Sequence, residues 1–460
     1  MIKLSDSFEY KGVVEGFYGK PWTFKERQDI IKFMGKTGYN IYIYGPKADE
    51  LHRDSWREKY DDEFINEFKK LVDIGKEYDV DVSIAVSPGL SLIHSSEDDL
   101  NALYEKYMQF VNIGVNTISL FLDDIPWKLQ HEEDIKNYEC LAQAQADFTN
   151  KIYEKLQKKV ENLKFILCPT EYWGKPHVEY HEVLGEKLNR KIDLMWTGPK
   201  VCSEYLTVDD AINVSKSFKR KILYWDNYPV NDSVMVPEMH LDGYIKRDKK
   251  LYKYSKGIII NPMNQAYASI FSLKNISYYL NNPEKYDEKK HWLKTIKYFA
   301  PEICEEFQHF AKYNTKSPIN DKDPEIITNL ISEFEYLYHK DVEKASLLLK
   351  NESEKIENNY QKIKKYLDKN LLKDIEKWLE EYRTISQMLN ALATLVSSYY
   401  EIFENAKIEN MNKVKSNIKN LEDITLKMVQ EETFIGGIEL IKTPLKYLKY
   451  AKGFIKLVEY

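Results

Sequence analysis

Short apolar runs alternate with longer amphipathic stretches through the first part of the chain, the pattern of strand and helix units around a parallel sheet. Eight runs read as strands, near Gly12 to Glu15, Tyr39 to Tyr44, Asp81 to Val86, Asn116 to Leu122, Lys164 to Cys168, Ile192 to Trp196, Lys221 to Trp225 and Gly257 to Ile260. Helical periodicity falls between most of them, for example over Phe24 to Met34, Glu63 to Tyr78, Asp98 to Val111 and Asp134 to Val160. The seventh connection, Val236 to Tyr252, carries the weakest helical pattern. Eight such repeats in about 280 residues match the size of a (β/α)8 TIM barrel, an α/β fold.

After Pro283 the pattern changes to long helices with charged outer faces. The expected division is a barrel over residues 1–283 and an α-helical bundle over 284–460. One helix has a start signal at Asp323-Pro324 and an apolar stripe through Ile326, Leu330, Phe334 and Leu337. A second stripe runs through Ile363, Leu367, Leu371, Ile375, Trp378, Tyr382, Ile385 and Leu389 at spacings of three and four. The stretch from Asn314 to Lys322 reads as a linker. The helices after about Leu371 offer faces either for packing within the chain or for a homodimer.

Composition narrows the partners. The chain has 460 residues, 43% hydrophobic and 30% charged, with a formal net charge of −6 and no long Lys/Arg cluster, so nucleic acid is not an expected partner. The first residues, Met1 to Phe8, lack an apolar signal core, and no stretch approaches the roughly 18 apolar residues of a membrane span, so a cytoplasmic location without membrane attachment is expected. Cys140, Cys168, Cys202 and Cys304 lie far apart and suggest neither a disulfide framework nor a zinc knuckle.

The candidate chemistry gathers after the strands. The apolar run Thr117 to Leu122 ends in two adjacent carboxylates, Asp123 and Asp124, followed by Ile125-Pro126-Trp127. A buried strand tolerates no unpaired carboxylate, so such acids must face water, a metal, each other or a substrate. Because strand side chains alternate between faces, both can enter one pocket only if the backbone leaves the strand there. Polar, aromatic and Gly/Pro residues follow the other strands too, among them Gly16-Phe17-Tyr18-Gly19, Pro46-Lys47, Glu171-Tyr172-Trp173, Thr197-Gly198-Pro199, Asp226-Asn227-Tyr228 and Asn261-Pro262. In a barrel all strand C-termini open onto one face, where the active site lies. A metal site finds little support: there is no His-Glu-x-x-His, and His177 and His181 make a poor site by themselves. An apolar, aromatic wall with a few hydrogen-bonding side chains suits a pyranose ring.

These residues resemble a known family. Val13 to Trp22, Tyr42 to Lys47 with Trp56-Arg57-Glu58 and Tyr60 downstream, Phe121 to Ile125, Cys168 to Tyr172, Trp225 to Asp232 and Asn261 to Met263 resemble glycoside hydrolase family 84, the O-GlcNAcases and their bacterial β-N-acetylglucosaminidase relatives. The matches run in order from about residue 10 to 270, while the C-terminal part resembles the family's helical region only in general. One departure is Lys47-Ala48-Asp49, where Lys-Asp-Asp is often found. The N-terminal domain common in bacterial relatives does not precede the first strand here, so by the resemblance neither secretion nor modular targeting is expected.

The resemblance implies that Gly16, Lys47, Asn227, Asp232 and Asn261 bind sugar hydroxyls, with Asp232 at the far edge of the ring, and that Tyr172, Thr197, Val201 and Trp225 wall an acetamido pocket. It also implies substrate-assisted retaining hydrolysis through an oxazoline, without a cofactor. Asp123 would orient the acetamido group and Asp124 would serve as general acid and then base. The implied partner is an N-acetylglucosamine-bearing glycoprotein or glycoside. Hexosaminidase action on glycosaminoglycan and sugar binding without catalysis are the competing readings.

Overall fold

The computed structural model describes residues 7–405 and 411–458. Eight parallel strands, β1 (Tyr10–Glu15), β2 (Ile41–Tyr44), β3 (Asp81–Val86), β4 (Thr117–Phe121), β5 (Lys164–Cys168), β6 (Ile192–Trp196), β7 (Leu223–Asp226) and β8 (Gly257–Ile260), pair in chain order. Pairing of β1 with β8 closes the ring. Val14, Ile41, Ile43, Ala85, Phe121, Ile166, Cys168, Met195, Leu223, Trp225 and Ile259 meet inside the barrel, while alternate residues such as Val13, Tyr42, Leu120 and Tyr224 are buried in the layer between strands and helices. Both faces of each strand are covered, which is why the strands read as apolar runs rather than as alternating ones.

Local signals set the helix ends. Thr23 and Glu26 form a capping box at the start of Phe24–Thr37, and Gly38 closes that helix with a left-handed φ of 84°. Asp61, Ser96 and Thr207 cap the helices that begin at Asp62, Glu97 and Val208. The helix expected over Asp134 to Val160 is instead two, Glu132–Asn137 and Leu141–Gln157. Asp134 explains the break: its carboxylate accepts from the backbone and ring of His94 and from Ser95 N–H, tying the short helix to the loop after β3. Tyr138 then turns extended before the second helix starts. The seventh connection holds only a four-residue helix, Leu251–Tyr254.

The chain divides into two compact units, Met1–Ser233 with Tyr244–His291, and Val234–Gly243 with Trp292–Tyr460. The sequence pattern put a single boundary at residue 283 and carried no sign of the excursion of residues 234–243, because this segment, though rich in Val and Met, is too short and irregular to show helical or strand periodicity. In the helical unit Asp323 does not cap Glu325–Tyr338; its carboxylate accepts from Glu439 N–H at the start of Glu439–Val458. The buried stripe of Glu325–Tyr338 is Ile327, Leu330, Ile331 and Phe334; it shares Leu330 and Phe334 with the expected one, while Ile326 and Leu337 are only partly buried. The second stripe spans two helices, Val342–Tyr366 and Lys369–Asn405, since Asp368 accepts from Asn370 and Leu371 N–H and starts the second. Among the described residues no helix is long and apolar enough to cross a membrane.

Candidate active site

Period-two alternation carries the barrel's inward face beyond the strand ends. Val14, Phe121, Met195, Trp225 and Ile259 point inward, and two residues after each stand Gly16, Asp123, Thr197, Asn227 and Asn261. The site is therefore a polar layer on top of the apolar barrel core. The intervening residues do other work: Asp226 faces outward and accepts from Arg247 at 2.7 and 2.9 Å and from the Tyr244 hydroxyl at 2.6 Å. That buried pair anchors the end of β7.

Asp123 is buried, and one oxygen, Oδ2, accepts from the Lys47 ammonium at 2.6 Å. Its other oxygen, Oδ1, is buried and has no hydrogen-bond partner among the described residues. A buried acceptor left in that state costs roughly 1–3 kcal/mol, so it is suited to a donor brought by a bound molecule. Asn261 Oδ1 is in the same condition. Close approach around Lys47 needs Gly45, where a Cβ would lie 2.9 Å from the Phe121 ring. His52, beside Lys47, has its pKa pushed down to about 3 by burial first and by the ammonium second, so it is a neutral ring whose Nδ1 pairs with Ala85 O at 2.8 Å.

Asp124 would continue outward on a regular strand. It adopts a left-handed φ of 56°, which turns its carboxylate back over the same rim as Asp123. Asp124 is exposed and takes a phenol on each oxygen: Tyr18 donates to Oδ2 at 2.5 Å and Tyr172 to Oδ1 at 2.9 Å. Burial and the neighbouring carboxylate push both phenols well above the ordinary tyrosine value, so they remain donors.

The remaining candidates surround these acids. Trp225 stands 5.1 Å from Phe121, centroid to centroid, and its Nε1 donates to Asn227 Oδ1 at 2.8 Å; Asn261 Nδ2 donates to the same oxygen at 2.9 Å. Gly16 lets the chain pass the Trp225 ring, since a Cβ would lie 2.5 Å from it. Tyr172 packs on the barrel core, and its carbonyl accepts from Thr197 N–H at 2.8 Å. Asn227 Nδ2 donates to the Val201 carbonyl, while the Val201 side chain is partly exposed. Asp232 accepts from Tyr18 N–H at 2.8 Å, and burial raises its carboxyl above the usual range.

Besides Tyr18, two supporting residues escaped sequence reasoning. Thr170 Oγ1 donates to the Leu122 carbonyl at 2.6 Å, immediately before Asp123, and Gln145 Nε2 donates to Thr170 Oγ1 at 2.6 Å. Thr170 lies within the Cys168 to Tyr172 run, which offered a signal; Gln145, mid-helix, offered none. His177 and His181 do not converge: His177 precedes the helix Glu179–Lys187 with a left-handed φ, and His181 is buried with Nε2 on the Glu171 carbonyl. Asp49, next to the departure at Ala48, accepts from the Tyr44 and Tyr60 hydroxyls and from Leu51 N–H, which shapes the loop after Lys47.

A parallel barrel whose C-terminal rim gathers paired acids, an ammonium, amides and an aromatic wall has the build of a glycoside hydrolase. Residues 11–312 match the beta-N-acetylglucosaminidase family model. Protein O-GlcNAcase of Mus musculus is 36% identical over 257 residues, 55% of this chain and 28% of the mouse protein, and Protein O-GlcNAcase of Rattus norvegicus matches equally. The chain thus spans less than a third of the length of these curated relatives. A mutant O-GlcNAc hydrolase of Thermobaculum terrenum superposes with a TM-score of 0.91 at 34% identity, covering 96% of this chain and 94% of that one. The structure of CpGH84B aligns at 0.82 and 28% identity, with 96% and 77% covered. The chain belongs to the β-N-acetylglucosaminidases of glycoside hydrolase family 84.

Proposed function

We propose that this protein removes terminal β-linked N-acetylglucosamine from protein serine or threonine, with retention of configuration and through an oxazoline. The observation that carries the reading is the division of labour between adjacent acids. Asp123 has one oxygen on Lys47 and a second, buried oxygen without a partner, while Asp124 sits exposed beside it on a reversed backbone. Asp123 Oδ1 accepts the acetamido N–H and holds the acetamido oxygen for attack on the anomeric carbon. Positioning of that kind lowers a barrier by roughly 7–11 kcal/mol at its best. As the C1–O bond breaks, Asp124 passes its proton to the departing oxygen. As carboxylate it then takes a proton from the water that adds to C1, which opens the oxazoline and restores the acetamide.

Trp225, Tyr172 and Thr197 wall the acetamido group, and Gly16, Lys47, Asn227, Asp232 and Asn261 meet the ring hydroxyls. The protein-linked aglycone is supported by the similarity to protein O-GlcNAcases. A cytoplasmic location and a homodimer through the C-terminal helices, where Leu426, Val429 and Leu445 are exposed, complete the reading; a monomeric mass in light scattering would remove the dimer.

The test is hydrolysis of an aryl β-N-acetylglucosaminide and an O-GlcNAc peptide by wild type, with an N-acetylglucosamine-derived thiazoline as inhibitor. Turnover of both, blocked by the thiazoline, is expected. Release of internal fragments from hyaluronan would favour the glycosaminoglycan reading, and sugar binding without turnover would defeat the enzymatic one.

A further inference from the structure

Trp127 stands three residues after Asp124, and Trp173 follows Tyr172 directly. Their rings make a tilted contact, with centroids 5.7 Å apart and planes at 60°. The two loops are joined twice, once by this ring contact and once by the Tyr172 to Asp124 hydrogen bond. Trp127 leaves 51% of its surface in water and Trp173 is partly exposed. Two tryptophans kept open to solvent forgo part of their burial energy, about 25 cal/mol per Å² of apolar surface, so packing alone does not account for them.

Charge gives the wedge a preference. Lys128 and Lys175 lie one and two residues beyond the two tryptophans, are exposed, and form no ion pair among the described residues. Of the two acids four residues from Lys128, Asp124 is occupied by its two phenols and Glu132 pairs with Lys136 at 3.9 Å. A ligand that covers this corner brings apolar surface for the rings and negative charge for the ammonium groups.

Position identifies the ligand. An acid that protonates the departing oxygen faces the aglycone, so the wedge beside Asp124 lies on the leaving-group side. Resting on the reading of protein-linked sugar as substrate, we propose that Trp127 and Trp173, with Lys128 and Lys175, form the seat for the polypeptide that carries the sugar, and that they favour a glycosylated residue with an apolar side chain and a carboxylate close by in sequence. An aromatic wedge grips an apolar side chain of any shape, and flanking lysines add selection without a fixed sequence.

The experiment compares kcat/KM for three substrates: an O-GlcNAc peptide with apolar and acidic neighbours, the same peptide with glycine neighbours, and an aryl N-acetylglucosaminide. Wild type is expected to prefer the first peptide over the second by about tenfold. Trp127→Ala should remove that preference through KM and leave the aryl substrate within about twofold. Lys128→Glu with Lys175→Glu should lower only the acidic peptide, and added salt should lower it in wild type. Equal losses on peptide and aryl substrate would make the wedge a structural support, and no loss on any would overturn the seat. A loss confined to a di-N-acetylglucosamine substrate would make the occupant a second sugar and overturn the polypeptide. Failure of wild type on the aryl substrate would defeat the proposed activity itself, a separate result.

Discussion

The Tyr18 hydroxyl donates to Oδ2 of Asp124 at 2.5 Å, across the barrel mouth from the loop after β1 to the loop after β4. With Tyr172 on Oδ1, both oxygens of the acid are taken by donors. A carboxyl that hands a proton to a leaving group must turn one oxygen toward it, so one phenol has to let go. Tyr18 is 44% exposed at the rim, whereas Tyr172 packs on the barrel core. Tyr18→Phe is therefore expected to leave kcat on an O-GlcNAc peptide within about threefold, and Tyr172→Phe to lower it by about 10- to 100-fold, the worth of one charge-assisted hydrogen bond. Steady-state kinetics of the two variants check this; the reverse order would show that Tyr18 is the phenol retained during the reaction.

Removal of the acid should depend on the leaving group. Asp124→Ala is expected to lose about 10²- to 10⁴-fold on an alkyl glycoside or O-GlcNAc peptide and far less on an activated aryl glycoside, whose phenolate departs without a proton. A plot of log kcat against leaving-group pKa for the variant and wild type checks this, and parallel slopes would count against the assignment.

Asp123→Asn should slow every leaving group alike. The amide keeps an oxygen but pairs poorly with Lys47, which donates at 2.6 Å in the wild type, and places an N–H donor where the acetamido N–H would seek an acceptor. Near-native rates on an activated aryl substrate would rule out acetamido orientation by this residue.

Thr170→Val tests the support beneath the acids. It removes the hydroxyl that bridges Gln145 and the Leu122 carbonyl, both buried. The loss should cost about 1–3 kcal/mol of unfolding free energy and lower kcat with KM little changed, because the carbonyl precedes Asp123 in the chain. Urea unfolding and steady-state kinetics read the two effects, and a change in KM alone would not fit.

Glu381 of the helical unit should set a pH dependence of stability. Burial raises its pKa to about 8 from an ordinary 4.5, and the Thr433 hydroxyl donates to Oε2. Between those two values the native state holds a proton that the unfolded chain has lost, so stability falls as pH rises and this contribution is gone above about 8. Glu381→Gln should flatten that slope, with its Tm advantage over wild type growing between about pH 5 and pH 8. A constant difference across that range would contradict the burial argument.

Much of the barrel was legible because each strand is an apolar run closed by punctuation. β5, β6 and β8 begin and end where the pattern put them, and the acids after β4 stand out against a run in which five of six residues are apolar or β-branched. Less was legible where contacts are remote. The Asp134 to Val160 pattern continues through Tyr138, so only the bonds from Asp134 to His94 and Ser95 reveal the break. Asp323-Pro324 looks like a cap, yet Asp323 serves a helix more than a hundred residues later.

By itself the sequence determined the alternation that puts Gly16, Asp123, Thr197, Asn227 and Asn261 inward, since period two is a property of the extended backbone. It also determined the family, through motifs spread over the barrel. Only the tertiary structure decided that Asp123 meets Lys47 from 76 residues away, that Asp124 is reversed by a left-handed φ, and that Tyr18 and Tyr172 hold it from two other loops. Ring closure brings the loop after each strand to one rim, and no local rule of sequence reports which side chains touch once they arrive there.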